Sequence, residues 1–287
     1  MTGVTTRPFR ILADHMAVYD FMLEIYARDW RNGVPAPFFE YALSSSWMDK
    51  SYTHRYRLWL EGERIVAFVF SENPVSDVYF SLRPGYEALA PEMIAYAASD
   101  MPRPEGKHRL VIFGAQESIA EAAQAAGYRK TGGYAELVRS FDTPLDAPLP
   151  KGYRFASQPH DPVKISKCCW YGFENEGAWH GSGESVLHTL HAPHATGQYD
   201  VAVENEKTGD YVCFAGMWWV PENHLAYLEP LCTLPEHRRK GLAAAALSEL
   251  YRQLAPLGAT HMTGGGDPFY AALGFEPIVE WQFWENT

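Results

Sequence analysis

The chain has 287 residues, of which 47% are hydrophobic and 21% charged, a composition typical of one large or two ordinary globular domains. Its 35 acidic and 24 basic residues give a net charge of −11, which argues against nucleic acid or an anionic membrane as the main partner. We find no membrane-span-length apolar run, no apolar signal core and no zinc or disulfide spacing among the four cysteines, and therefore expect a cytoplasmic protein with reduced thiols.

The same order of elements is predicted twice along the chain. Three pairs of segments align at one offset: 60–70 with 207–217, 78–84 with 225–231, and 121–128 with 268–275. Each half predicts a two-stranded hairpin, a third strand, a helix, a strand, a short helix ending at Gly127 or Gly274, and a final strand. The alternative is chance similarity between two α/β segments.

A proline-rich run separates the two halves. Residues 142–152, DTPLDAPLPKG, are mostly polar and predict a semi-rigid linker. We therefore expect one domain at 1–141 and a second at 153–287.

The densest positive cluster lies at a predicted strand-to-helix turn. HLAYLEPLCTL (224–234) reads as a buried strand, and apolar residues recur at helical spacing from Leu242. The intervening HRRKG therefore opens a helix, where unpaired N–H groups, Gly241 and three cations would form an anion site suited to a pyrophosphate. The alternative is a merely solvated turn.

Residues 224–275 resemble the GCN5-related N-acetyltransferase (GNAT) superfamily. YLEPLCTLPEHRRKGLA (227–243) resembles its acetyl-CoA motif, and DPFYAALGF (267–275) resembles its closing segment. Residues 151–287 fit the family's order of elements, and the N-terminal half fits the same order more loosely. The chain is therefore similar to tandem GNAT proteins such as mycothiol synthase-like enzymes. The resemblance implies an α/β (α+β) fold of two tandem GNAT-like domains, each a mixed, mostly antiparallel twisted sheet flanked by helices.

The resemblance implies acetyl-CoA as the acyl donor and assigns it two sets of contacts. The pantetheine would meet the main chain of Leu231, Cys232 and Thr233. The pyrophosphate would be cradled by Arg238, Arg239, Lys240, Gly241, Leu242 and Ala243. Asp267 stands near the position where the family often has Asn, which puts the cofactor contacts of that segment in doubt. At the matching offset the N-terminal half has Pro91 and Ile94 and no cation cluster, so we predict that 1–141 keeps the fold without binding acyl-CoA.

Two residues are candidates for acid–base chemistry. Glu229 lies in an apolar strand, which predicts a pKa raised by desolvation and a role as general base; the alternative is a structural glutamate. Tyr270 is the candidate acid for the leaving thiolate, and its alternative is helix packing. The resemblance also implies that a main-chain N–H near Cys232 would serve the oxyanion. We expect direct attack, with Cys232 as the one possible covalent nucleophile.

The acceptor is expected to be the primary amine of a small molecule. By the resemblance, its pocket would include residues of FENEGAWHGSGE (173–184), namely Glu174, Glu176, Trp179 and His180. Trp218 and Trp219 alternate across a predicted strand, so one should face the core and one the cleft; we take Trp218 as the cleft residue. The alternative for 173–184 is a mobile loop. His188, His191 and His194 lack a completing ligand, so no metal is predicted. We expect a monomer or homodimer; rival functions are a non-catalytic acyl-CoA-binding module, another acyl-CoA, or a protein lysine acceptor.

Overall fold

The order of helices and strands repeats once along the chain, in a computed structural model that describes residues 3–106 and 108–286. The first pass comprises β1 (Val4–Pro8), α1 (Ile11–Ile25), α2 (Ala36–Ser44), β2 (Arg57–Glu61), β3 (Arg64–Ser71), β4 (Asp77–Leu82), α3 (Ala90–Asp100), β5 (Arg109–Phe113), α4 (Glu117–Ala125) and β6 (Tyr128–Ser140). The second comprises β7 (Tyr153–Phe155), α5 (Pro162–Gly172), α6 (Glu184–Leu190), β8 (Val201–Asn205), β9 (Tyr211–Val220), β10 (Leu225–Thr233), α7 (Leu242–Leu254), β11 (His261–Thr263), α8 (Pro268–Ala272) and β12 (Glu276–Asn286). The predicted fold class is confirmed.

The chain divides into two units whose boundaries differ from the predicted ones. Unit 1 holds the chain up to Leu43, Trp47–Glu136 and everything from Pro277 onward; unit 2 holds Ser44–Ser46 and Leu137–Glu276. The closing strand of the second pass, β12, therefore lies in unit 1 from Pro277 onward, and only the last four residues of β6 lie in unit 2. β12 pairs with β5 in unit 1, and the end of β6 pairs with β11 in unit 2. Local sequence patterns predict that a strand exists but not which strand it pairs with.

Residues 142–152 are part of unit 2 instead of a separate linker. Leu145 and Leu149 pack against the core around α7, and the Ser248 hydroxyl donates to the Leu145 carbonyl across 2.7 Å. Their side chains bury apolar surface, which favours a packed segment over a solvated one.

Unit 1 has strand order β1-β2-β3-β4-β5-β12-β6, with β4 and β5 parallel. Its core is rich in aromatic rings; Phe68 and Phe70, for example, stack with centroids 5.0 Å apart. Such pairs add to the stabilisation from apolar burial.

Unit 2 has strand order β6-β11-β10-β9-β8-β7, with β10 and β11 parallel. The core on one face includes Leu247, Leu250 and Leu254 of α7, and a separate core cluster includes Ile165 and Cys168 of α5. The α7 residues recur every three or four positions, so one helix stripe is fully buried. No helix in the described part of the chain is long and apolar enough to cross a membrane.

Candidate active site

The two central strands of unit 2 run side by side only at their start. β10 and β11 pair at Leu225–His261 and Ala226–Met262, and the Leu228 N–H donates to the Thr263 hydroxyl across 3.0 Å. β11 ends there, whereas β10 continues to Thr233. The strands thus leave a cleft bordered by the unpaired edge of β10.

A β-bulge lies where this unpaired edge begins. The register of β10 against β9 shifts between Leu228 and Leu231, so that Glu229 and Pro230 lie opposite Gly216. A Cβ atom at Gly216 would lie only 2.6 Å from the Glu229 carbonyl oxygen. The glycine is therefore required by the close approach of the bulge, which re-aims the Glu229 side chain.

Two main-chain N–H groups of β10 face the cleft. The Leu234 N–H donates to the Val212 carbonyl across 3.0 Å, and ladder alternation then directs the Cys232 N–H towards β9. The N–H groups of Leu231 and Thr233 point away from β9 and have no acceptor among the described residues. The predicted N–H near Cys232 is thus that of a neighbour, and this edge can bind an extended ligand as an added strand.

The turn after β10 presents unpaired N–H groups at the start of α7. Arg239 and Gly241 have φ values of +60° and +83°, in the left-handed region. A Cβ at Gly241 would have only Pro150 Cγ nearby, at 4.0 Å, so this side of the turn is open. No acceptor among the described residues binds the main-chain N–H groups of Arg239, Lys240, Gly241, Leu242 and Ala243. Together with the helix N-terminus they form a group of unpaired donors of the kind that favours anions.

The three cations of this turn have different surroundings. Lys240 Nζ donates to the Glu236 carbonyl across 2.8 Å, and Arg239 extends into solvent without a hydrogen bond to the described residues. Arg238 instead donates to Thr233, Gly172 and Glu174, so its guanidinium is directed at the protein.

Glu229 lies beside the cleft with a carboxylate that has no ion pair or hydrogen bond within the described residues. Burial raises the pKa of Glu229 to about 7, in the predicted direction. The pKa of Cys169 in α5 is raised by its hydrogen bond to Cys232, by burial, and by charges that include those of Asp200 and Glu229. Glu229 thus lies near Cys169, on the α5 side of the sheet.

Asp200, which sequence analysis did not identify, is a second buried carboxyl on this side. It is 7% exposed, accepts a 2.8 Å hydrogen bond from the Met217 N–H, and has no cationic partner among the described residues. Burial raises the pKa of Asp200 to about 8. No local sequence signal marks Asp200, because its position depends on where the pairing between β8 and β9 ends.

Three thiols meet between α5 and β10. Cys232 Sγ lies 3.9 Å from the Sγ atoms of both Cys168 and Cys169. Hydrogen bonding with those two thiols holds the pKa of Cys232 well below its usual range. Cys232 is only 5% exposed.

Tyr270 packs its ring against the chain that follows β11. A Cβ at Gly264 would lie 2.7 Å from Tyr270 Cδ1, so the first two of the three glycines after Thr263 make room for the ring. Asp267 accepts a 2.7 Å hydrogen bond from the Phe269 N–H and caps α8. The structure thus gives Asp267 a helix-capping role.

The predicted acceptor residues have different surroundings. Trp218 is 4% exposed, Glu174 binds Arg238, and Trp179 Nε1 donates to Ser166 of α5 across 3.1 Å. Glu176 and His180 are exposed. No three His, Cys, Asp or Glu side chains in the described ranges are grouped to hold a metal ion.

The corresponding edge in unit 1 is occupied by protein. The Arg83 N–H donates to Val66, so ladder alternation directs the Leu82 N–H away from β3, where it donates to the Asn32 carbonyl across 2.8 Å. The Phe80 carbonyl accepts from Gln116 Nε2 at 2.9 Å. One N–H and one carbonyl on this edge of β4 therefore already have partners within unit 1.

Residues 164–275, all in unit 2, match the model of the acetyltransferase (GNAT) family. Among solved structures, a GCN5-related N-acetyltransferase from Sphaerobacter thermophilus has a TM-score of 0.63 at 13% identity, covering 99% of this chain and 96% of that one. A tandem GNAT protein from the clavulanic acid biosynthesis pathway has a TM-score of 0.59 at 16% identity, covering 99% of both. No curated protein matches the chain. The tandem GNAT resemblance is confirmed, and acyl transfer from CoA is the activity that the family supports.

Proposed function

We propose that unit 2, whose residues 164–275 match the GNAT family, transfers an acetyl group from acetyl-CoA to the primary amine of a small molecule. Unit 1 supports the fold without binding the donor. The observation that carries this proposal is the unpaired edge of β10, which leads directly to the unpaired N–H groups at the start of α7.

The donor would bind along these two features. The pantetheine amides would pair with the main chain at Leu231 and Thr233, beside Cys232. The pyrophosphate would accept from the N–H groups of residues 239–243, with the charges of Arg239 and Lys240 nearby. This route uses donors that no described residue of the chain satisfies.

The reacting carbonyl would lie next to the bulge. A free alkylammonium has a pKa near 10.4, so it must lose a proton before it attacks. Glu229, with a pKa of about 7, would accept that proton directly or through water. The Leu231 N–H would donate to the oxyanion, and Tyr270 would donate a hydrogen bond to the departing thiolate.

The acceptor would bind on the α5 side of the sheet. Asp200 and Glu229 are carboxyl groups without a cationic partner among the described residues, and an ammonium group would supply one. Trp218 would add an aromatic wall, with Glu174, Glu176, Trp179 and His180 at the approach. Reaction by direct attack requires no covalent intermediate on Cys232.

Thermal unfolding with and without acetyl-CoA tests donor binding. A site-specific ligand at a hundred times its Kd stabilises the folded state by about 2.7 kcal/mol, so the Tm should rise clearly. Acetyl-pantetheine, which lacks the diphosphate, is the matched control ligand and should produce a much smaller shift. An unchanged Tm at millimolar acetyl-CoA would contradict the proposal.

Release of free CoA thiol with a panel of small amines tests the transfer itself. Turnover of an amine supports the proposal; binding without turnover of any amine, or turnover only with lysine peptides, would replace it with the binding-module or protein-acceptor function. Comparing acetyl-CoA with succinyl-CoA and longer acyl-CoA esters decides the acyl group.

A further inference from the structure

The Arg238 side chain joins three segments of unit 2. Its Nε donates to the Thr233 carbonyl at the end of β10, across 3.1 Å. Its Nη2 donates to the Gly172 carbonyl at the end of α5, and its Nη1 to Glu174 Oε2, both across 2.8 Å. All three nitrogens of the guanidinium are therefore engaged by protein acceptors, although the side chain keeps 40% exposure.

Two of these acceptors would otherwise lack a partner. Gly172 is in the last turn of α5, where carbonyl groups have no intrahelical donor and the helix carries partial negative charge. The Thr233 carbonyl belongs to the β10 edge that faces away from β9. One planar guanidinium satisfies both, which a point charge such as lysine would do less well.

The contacts of Arg238 with Thr233, Gly172 and Glu174, here called the clamp, lie at a close approach of α5 to β10. A Cβ at Gly172 would lie 2.9 Å from the Cys232 Cβ, so the helix end and the strand are nearly in backbone contact. Any change in the Arg238 bonds therefore bears on the spacing between α5 and the strand beside the cleft.

Glu174 sets the direction in which the chain leaves α5. Its φ is +55°, which is unfavourable for a residue with a side chain, and its N–H donates to the Tyr171 carbonyl. An exposed ion pair alone contributes little stability, so we assign the anchoring to the two carbonyl bonds and the aiming of the segment to Glu174. Trp179 then folds back onto α5 through Ser166.

We infer that Arg238 is a positioning residue: it fixes segment 173–183 and the end of α5 against β10, and does not bind the donor pyrophosphate. The donor depends instead on the main-chain groups of 239–243 with Arg239 and Lys240. Arg238 thereby holds the acceptor side of the site in place from within the donor turn. This inference rests on the proposed function for its kinetic consequence, but its structural part stands without it.

Three variants separate the two roles: R238Q, E174Q and, as matched control in the same turn, R239Q. Hydrogen exchange of amides in 173–181 and calorimetric titration with CoA are measured on each. We expect R238Q and E174Q to speed this exchange about tenfold or more while the Kd for CoA stays within threefold. R239Q should weaken CoA several-fold and leave the exchange unchanged.

With an amine that the panel shows to be turned over, R238Q should raise the KM for the amine about tenfold and leave the KM for acetyl-CoA within threefold. General destabilisation would not divide the two KM values in this way. Wild-type exchange in R238Q, together with tenfold weaker CoA binding, would overturn the inference. If R238Q does not fold, wild-type hydrogen exchange of 173–181 in E174Q would also overturn the inference. If wild type binds no CoA, the proposed function fails, while the exchange data still decide the clamp.

Discussion

Glu229 is the residue on which the proposed chemistry depends most. A carboxyl with a pKa of about 7 must lose its proton to act as a base, so kcat/KM should rise with pH up to about 7 and then level off. E229Q should lower kcat on the order of 10²-fold and abolish that pH limb, because general bases contribute roughly 10²–10⁴-fold. Initial rates from pH 5.5 to 8.5 measure this pH dependence, and E222Q, a change at an exposed turn, is the control. An E229Q enzyme with the wild-type profile would exclude Glu229 as the base.

Asp200 should make the protein less stable as pH rises. Its folded-state pKa, about 8, exceeds the ordinary 3.8, so the native state retains a proton that the unfolded chain loses. The free energy of unfolding is therefore highest below about pH 4 for this group and falls through pH 8. D200N remains neutral and can still accept from Met217. Urea unfolding at pH 5 and pH 8 should show a smaller loss in D200N than in wild type, by on the order of 1 kcal/mol or more.

A matched change at Asp210 is the control for D200N. Its hydrogen bond with Lys167 holds the pKa of Asp210 below the usual range, so it is ionised in both states between pH 5 and pH 8. D210N should leave the pH dependence in this window unchanged. Equal slopes for wild type and D200N would show that Asp200 is not protonated in the native state.

At the scale of elements, the turn into α7 is where one side chain should decide donor binding. G241A would place a Cβ on the open side of the turn that the pyrophosphate needs, and should weaken CoA at least about tenfold. It also introduces backbone strain at positive φ, a cost of roughly 1–2 kcal/mol. G209A is the control, since Gly209 has a φ of +72° and open space around it. Calorimetry should find CoA binding intact in G209A; equal losses in both variants would refute a donor site at Gly241.

The elements themselves were largely predictable, and their partners were not. Buried strand β10 and amphipathic α7 follow from local periodicity, and so does the turn between them with its unpaired N–H groups. The pKa shift of Glu229 followed from its apolar neighbours. The roles of Asp200 and Arg238 were not predictable, because each depends on contacts between segments far apart in sequence. The missed bulge did have a signal, since Gly216 interrupts an otherwise bulky strand.

At the scale of the whole molecule, two similar units should bind one donor. In unit 1 the Asn32 carbonyl and the Gln116 amide already take the hydrogen bonds of β4 that a ligand would need. Titration calorimetry should therefore give one CoA per chain, and G241A should remove that single event. A stoichiometry of two would show that unit 1 also binds the donor.

The pairing of β12 with β5, and of the end of β6 with β11, limits which fragments of this protein can fold alone. A gene fragment starting at residue 142 would encode β11 without the Val138–Ser140 stretch that pairs with it, and β12 without β5. Such a fragment would expose hydrogen-bonding strand edges and tend to aggregate. We therefore expect that removing residues 1–141 would also destabilise unit 2, so the fold of the second half of the chain depends on the first.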